Sequence, residues 1–181
     1  MMRVVRDWRV ELVAAYPDLF HPVPGDPPAA QGFPEVGSGW QDLVERACAR
    51  IRAAVQTDGG TFHAKQIKAK FGTLRFYWDG ALSPAADAKV KEAIDLAKAR
   101  SACTCEICGE EGRLYGPRWL ATRCAAHAEG RPPVEIEPRL QNVHVEERIV
   151  GERREVRSRR YDRATDSFID LPPEPLGIEE S

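Results

Sequence analysis

Cys105 and Cys108 stand two residues apart, and after fifteen more residues Cys124 and His127 form a second close pair. Each pair can close on one ion from a single turn of chain, so together they offer three thiolates and an imidazole in a tetrahedron with no position left for water or substrate. That donor set suits Zn2+, and a closed tetrahedron holds a fold together rather than activating a nucleophile. Gly109, directly after the second cysteine, permits the left-handed turn that a metal-binding knuckle needs. Cys103 competes for the first position, but Cys105 is preferred because only Cys105 and Cys108 combine the two-residue spacing with a following glycine.

The chain around these ligands must bring the two pairs together. GRLYGPRWLATRC, Gly112 to Cys124, reads as two short strands around Gly116-Pro117, and Cys124 to Ala128 reads as the first turn of a helix. Knuckle, hairpin and helix in that order resemble a treble clef. Upstream, Ser83-Pro84 is a cap followed by proline at the first helical position, and Ala86, Val90, Ala93, Ile94 and Ala97 give that helix a buried face leading to the knuckle. Before it, FHAKQIKAKFGTLRFYWDG alternates: Ile67, Ala69 and Phe71 fall on one side with Leu74, Phe76 and Trp78, which predicts a hairpin turning near Gly72. Trp40, Leu43, Val44, Ala47, Cys48, Ile51 and Val55 recur at helical spacing, with Ser38 as N-cap and Gln41 completing a capping box. Cys48 lies in this stripe and reads as a small buried hydrophobe. Val5, Trp8, Leu12 and Val13 predict a short opening helix before Pro17, and residues 17–37, rich in proline and glycine, read as an extended surface loop. Beyond Pro132-Pro133, Val134 and Ile136 alternate, a charged run spans Glu146 to Arg160, and YDRATDSFID reads as a turn, which together predict peripheral strands ahead of a disordered acidic tail.

The expected fold is therefore α+β: an antiparallel hairpin or sheet packed by two or three helices, a zinc module of treble-clef type, and a C-terminal β extension. Its expected organisation is a core over 1–100, the zinc module over 101–131 and the extension over 132–181. A chain of 181 residues is long enough for one main core with such a satellite. Its net charge of −2 gives no global attraction to nucleic acid or membrane. No run approaches the length of a membrane span, and Asp7 and Glu11 interrupt the start where a secretory signal needs an apolar stretch. Four of the five cysteines fall within 22 positions, which fits a reducing, cytoplasmic setting better than a disulfide framework.

SGW ahead of a helix, QIKAKFGTLRFYWDG, TCEICG, Trp119 and CAAH together resemble a family of small bacterial and phage or prophage proteins. Those proteins carry a lysine-phenylalanine-glycine-x-leucine-arginine-phenylalanine-tyrosine stretch followed by a zinc motif. The resemblance covers residues 37–128 and implies this architecture and a mobile-element setting, without supplying catalytic residues.

Treble-clef nucleases need a general-base histidine near the end of the first hairpin strand. The corresponding stretch here, RLYGPRWL, has none, and His127 is already a ligand. His21, His63 and His144 read as solvated or packing residues, and no phosphate loop, serine elbow or cysteine-histidine nucleophile pair is present. We therefore expect no enzyme. Binding is the better-supported class: residues 61–100 hold eight Lys or Arg against four acids, and Lys68, Lys70, Arg75 and Tyr77 share the polar side of the hairpin. A basic strand face with an aromatic can track phosphates and stack a base, although alternating lysines also make the ordinary solvated side of a half-buried sheet. The sequence reading is a zinc-stabilised, non-enzymatic binding protein of phage or mobile-element type that acts through a protein partner. Nucleic-acid binding by the hairpin face is the alternative, with a degenerate treble-clef nuclease third.

Overall fold

The computed structural model describes residues 6–172. Val5, read above as part of the first helix, and the acidic tail from residue 173 lie outside them. Within them the chain forms an α+β fold with antiparallel sheets, beginning with helix α1 (Trp8–Ala15). Asp7 caps α1 by accepting from the Arg9 amide at 3.0 Å, and Trp8, Leu12 and Val13 face the core.

Residues 17–37 are not the extended surface loop expected from their prolines. Pro17 opens a single helical turn, α2 (Pro17–Phe20), and Pro27 opens a 3₁₀ turn. At the first position of a turn the missing amide is no loss, so these prolines initiate rather than forbid helical geometry. Leu19, Phe20, Ala30 and Val36 are buried in the main core. The Glu35 amide donates to the Ile67 carbonyl at 2.8 Å, tying the segment to the hairpin.

Helix α3 (Gln41–Asp58) buries Leu43, Val44, Ala47, Cys48, Ile51 and Ala54, while Val55 is only partly covered. Its start differs from the expected capping box. Ser38–Trp40 form a 3₁₀ turn, Trp40 occupies the cap position without a side-chain cap, and the Gln41 side chain donates to Glu45. The reason is tertiary: the Gly37 amide donates to Glu106 Oε1 at 3.1 Å and the Gly39 amide to the Glu106 carbonyl at 2.8 Å, so the helix start binds the knuckle.

Strands β1 (His63–Lys70) and β2 (Thr73–Asp79) pair antiparallel, with Lys70 opposite Thr73 and a register shift between Ala64 and Gln66. Ile67, Leu74 and Phe76 face the core as expected. Phe71 does not. It and Gly72 make a two-residue turn with φ of 53° and 76°, and the phenyl ring is 65% exposed. Both central residues of such a turn must be left-handed, where glycine or asparagine is favoured and a phenylalanine costs about 1–2 kcal/mol.

Helix α4 (Pro84–Ser101) is capped by Ser83 Oγ, which accepts from the Ala86 amide at 3.2 Å. Val90, Ala93 and Ala97 join the main core, whereas Leu96 and Ala99 pack into a second cluster with Cys103 and Tyr161. After α4 come the knuckle and a small hairpin, β3 (Arg113–Tyr115) with β4 (Ala121–Arg123). Cys124 to Ala128 gives a single 3₁₀ turn, Ala125–His127, in place of the helix start that was expected, and Glu129 and Gly130 at positive φ follow it.

Val134 and Ile136 form no strand. Val134 bonds to Leu114, and a 3₁₀ turn at Pro138–Leu140 follows. The extension proper is a meander of β5 (Val143–Val150), β6 (Arg153–Asp162) and β7 (Ser167–Asp170). Tyr161 anchors it, buried against Leu96, Ala99 and Cys103, with its hydroxyl donating to Asp166 Oδ1 at 2.6 Å. Asp166 in turn receives Arg50 at 2.7 Å and Arg46 at 3.3 Å from α3.

Candidate metal centre

Cys105 Sγ, Cys108 Sγ, Cys124 Sγ and a ring nitrogen of His127 lie within 4.8 Å of one another. Cys108 and Cys124 sulfurs are 3.7 Å apart, and His127 Nδ1 is 3.2 Å from Cys124 and 3.6 Å from Cys105. A tetrahedron with metal–sulfur bonds of about 2.3 Å and a metal–nitrogen bond of about 2.0 Å has edges of about 3.5–3.8 Å. The four donors therefore fit a tetrahedral metal. Their spacing is set by local backbone: Gly109 at φ 82° turns the knuckle, and its amide donates to the Cys105 carbonyl at 2.9 Å.

Cys105 is fully buried and Cys108 exposed. Burial works against ionising Cys105, but the amides of Cys108, Cys124 and Ile107 point at its sulfur and outweigh burial, pulling the thiol down to about 6. Thiolates are the form that binds metal, and these amides favour that form at Cys105. Cys103 stands apart: its sulfur lies 3.4 Å from the Arg100 carbonyl, and burial pushes its thiol up. Cys48 is likewise buried, with its thiol pushed far up by the same cause.

The knuckle is held from two sides. On one, the Trp40 indole donates to the Thr104 carbonyl at 2.8 Å, and a Cβ on Gly39 would come within 2.2 Å of the Cys105 carbonyl. On the other, Glu106 binds Arg123 at 2.9 Å while Thr122 Oγ1 donates to the Gly72 carbonyl at 2.6 Å. A Cβ on Gly72 would meet Leu114 at 2.4 Å, so the tip of the β1–β2 hairpin is pressed against the β3–β4 hairpin. SGW binds the knuckle while Gly72 of KFG binds the β3–β4 hairpin beside it, and nothing local in either motif signals these contacts.

The hairpin residues fall as their alternation implied: Lys68 lies opposite Arg75, Lys70 opposite Thr73 and Gln66 opposite Tyr77. Lys68 Nζ sits 5.7 Å from the Tyr77 ring centre. The histidines outside the ligand set go elsewhere. His21 Nε2 is 2.8 Å from the Phe62 carbonyl, and its ring meets that of His63 at 4.7 Å. His144 packs on Phe168, and burial, followed by Lys98 and Arg159, lowers its pKa to about 4.

A second cluster, Glu92, Asp95 and Glu146, also brings three carboxylates within 4.8 Å. It already contains its cation. Arg159, only 3% exposed, donates to both oxygens of Glu92 at 2.8 and 2.7 Å and to Glu146. Burial and the neighbouring Glu146 raise Asp95 to about 6, and Arg159, with one nitrogen on Glu92 and another on Glu146, bridges α4 to the meander.

No family model, curated protein or solved structure matches this chain. Among the described residues no helix is long and apolar enough to cross a membrane.

Proposed function

We propose that this is a zinc-stabilised, non-enzymatic binding protein of phage or mobile-element type, acting in the cytoplasm through a protein partner. Zn2+ on Cys105, Cys108, Cys124 and His127 would supply the cross-link that the small β3–β4 module, poor in apolar core, otherwise lacks. Two unligated thiols, Cys48 and Cys103, both buried and free, suit a reducing compartment.

The outer face of the meander carries the reading. By register, Val145 and Ile149 of β5 share that face with Val156 of β6 and Ile169 of β7. All four are exposed, Ile149 by 84%. Between Ile149 and Val156 the charge is neutralised within the sheet, since Arg154 binds Glu147. An apolar stripe between self-neutralised charges favours a protein surface over a phosphate backbone.

Pull-downs from host lysate should compare the wild-type chain with an Ile149→Asp, Val156→Asp variant, each with and without nuclease. A protein retained by the wild type, lost from the variant and indifferent to nuclease is the expected result. The same proteins retained by both baits would remove the meander from the interface.

A further inference from the structure

A second surface lies at the seam between the two hairpins. Phe71 at the tip of β1–β2 and Trp119 in the β3–β4 connection, 65% and 73% exposed, line one cavity of about 460 Å³ together with Lys70, Pro117, Arg118 and Leu120. Phe71 occupies a left-handed turn position that glycine or asparagine fills with less strain, so its ring is not there to form the turn. Trp119 is likewise no core residue; its carbonyl accepts from Arg131 at 3.3 Å, which steadies the loop.

Lys70 and Arg118 line this cavity, and Lys68 and Arg75 continue along the same side of the hairpin. Among the described residues no carboxylate comes within ion-pairing distance of Lys68, Lys70, Arg75 or Arg118. Lys70 Nζ lies 5.3 Å from the Phe71 ring centre, so cation and aromatic present themselves side by side. Glu106, the one acid lining the cavity, is neutralised by Arg123 and by the Gly37 amide. The ligand that fits is therefore planar, stackable and anionic at short repeat. A duplex hides its base faces, whereas a single strand offers base and phosphate together.

We infer that the seam binds single-stranded nucleic acid, with a base stacked on Phe71 and Trp119 and the flanking phosphates on Lys70 and Arg118, Lys68 and Arg75 extending the track. The site rests on the metal-fixed seam and not on the protein-binding face of the meander. Because Thr122 holds Gly72 across the seam, the spacing of the two rings depends on the metal module.

The test titrates the full-length, zinc-loaded chain into a labelled 15-nucleotide single strand, the matching duplex and polyglutamate, reading anisotropy and tryptophan fluorescence. The single strand should bind best and quench tryptophan. With three to four phosphates neutralised, affinity should fall about 20- to 50-fold between 50 and 200 mM salt. Trp119→Ala should weaken binding about tenfold or more without loss of zinc. Phe71→Asn should do the same while leaving the turn at least as stable, which separates ligand contact from folding. Absence of binding at 50 mM salt, affinity unchanged in both variants, or tighter binding of polyglutamate would each overturn the assignment, the last in favour of an acidic protein segment.

Discussion

Along the meander Arg159 binds Glu92 and Glu146, Arg157 binds Asp170 and Arg154 binds Glu147, whereas at the hairpin seam Lys68, Lys70, Arg75 and Arg118 have no acidic partner among the described residues. The exposed apolar residues differ in the same way. The meander shows aliphatic Val145, Ile149, Val156 and Ile169; the seam shows aromatic Phe71 and Trp119. Charges that are paired within the chain fix its geometry and leave little field outside, while unpaired ones keep their field for a ligand. The exposed pairs, Arg157 with Asp170 and Arg154 with Glu147, contribute only about 0–1 kcal/mol each, so they matter more for what they hide than for stability. Two surfaces on one small chain thus present opposite chemistry.

The largest blow to this contrast should come from the metal. Chelation, or Cys108→Ser or Cys124→Ser, removes a cross-link whose formation in small zinc modules is worth on the order of 10 kcal/mol. The module and seam should lose amide protection in hydrogen exchange while the meander's Tyr161 cluster keeps it. Metal analysis should find one equivalent of zinc in the wild type and in Cys103→Ser, and none in the two ligand variants.

Asp166→Asn should act the other way. It strips Arg46, Arg50 and Arg100 of the carboxylate that ties the meander to α3 and α4, and should lower stability by about 2–3 kcal/mol with zinc retained. Urea midpoints with parallel metal analysis check it. Loss of zinc in this variant would show that the two regions are not separable.

The third effect is one of pH. His144 has a folded pKa near 4, below that of an unfolded histidine, so the unfolded chain binds the extra proton first. Its contribution to stability is complete above about pH 6.5 and is lost as pH falls toward 4. Asp95, raised to about 6, works in the opposite sense in the same window, because protonation relieves its buried charge. Urea midpoints measured against pH should therefore fall less steeply on acidification in His144→Gln than in the wild type. Equal slopes would dismiss His144 as the titrating group.

Smallest should be the effect of Lys68→Glu with Lys70→Glu on the fold. Both side chains project from the solvated side of the hairpin, so thermal stability should change by less than about 0.5 kcal/mol for each. The same pair should abolish single-strand binding, a difference that sets ligand contact apart from structure.

What the sequence made legible is what short-range physics decides. Ser83-Pro84 caps α4 from within four residues, and each metal-binding pair spans one turn, so both were readable. Phe71 misled because apolar alternation continues through it, while the left-handed demand comes from the length of the loop, which alternation does not encode. Ser38 failed as a cap because Gly37 and Gly39 bind Glu106, a residue far along the chain. The ties from Asp166 to Arg46 and Arg50 span more than a hundred residues and left no periodic trace. Proline at the start of α2 looked like loop because its benefit at a first helical position depends on the apolar pair behind it, Leu19 and Phe20.

The Trp40 and Gly39 contacts with the knuckle tie the candidate metal site to the whole core. Thermodynamic coupling is reciprocal, so whatever free energy the ion lends to the start of α3, an ordered start of α3 lends back to the ion. A methyl group added at Gly39 would press on the Cys105 carbonyl and the Gly109 amide and should weaken zinc binding. Weakening the start of α3 should therefore lower the affinity of the Cys105, Cys108, Cys124 and His127 cluster for zinc without touching its donors.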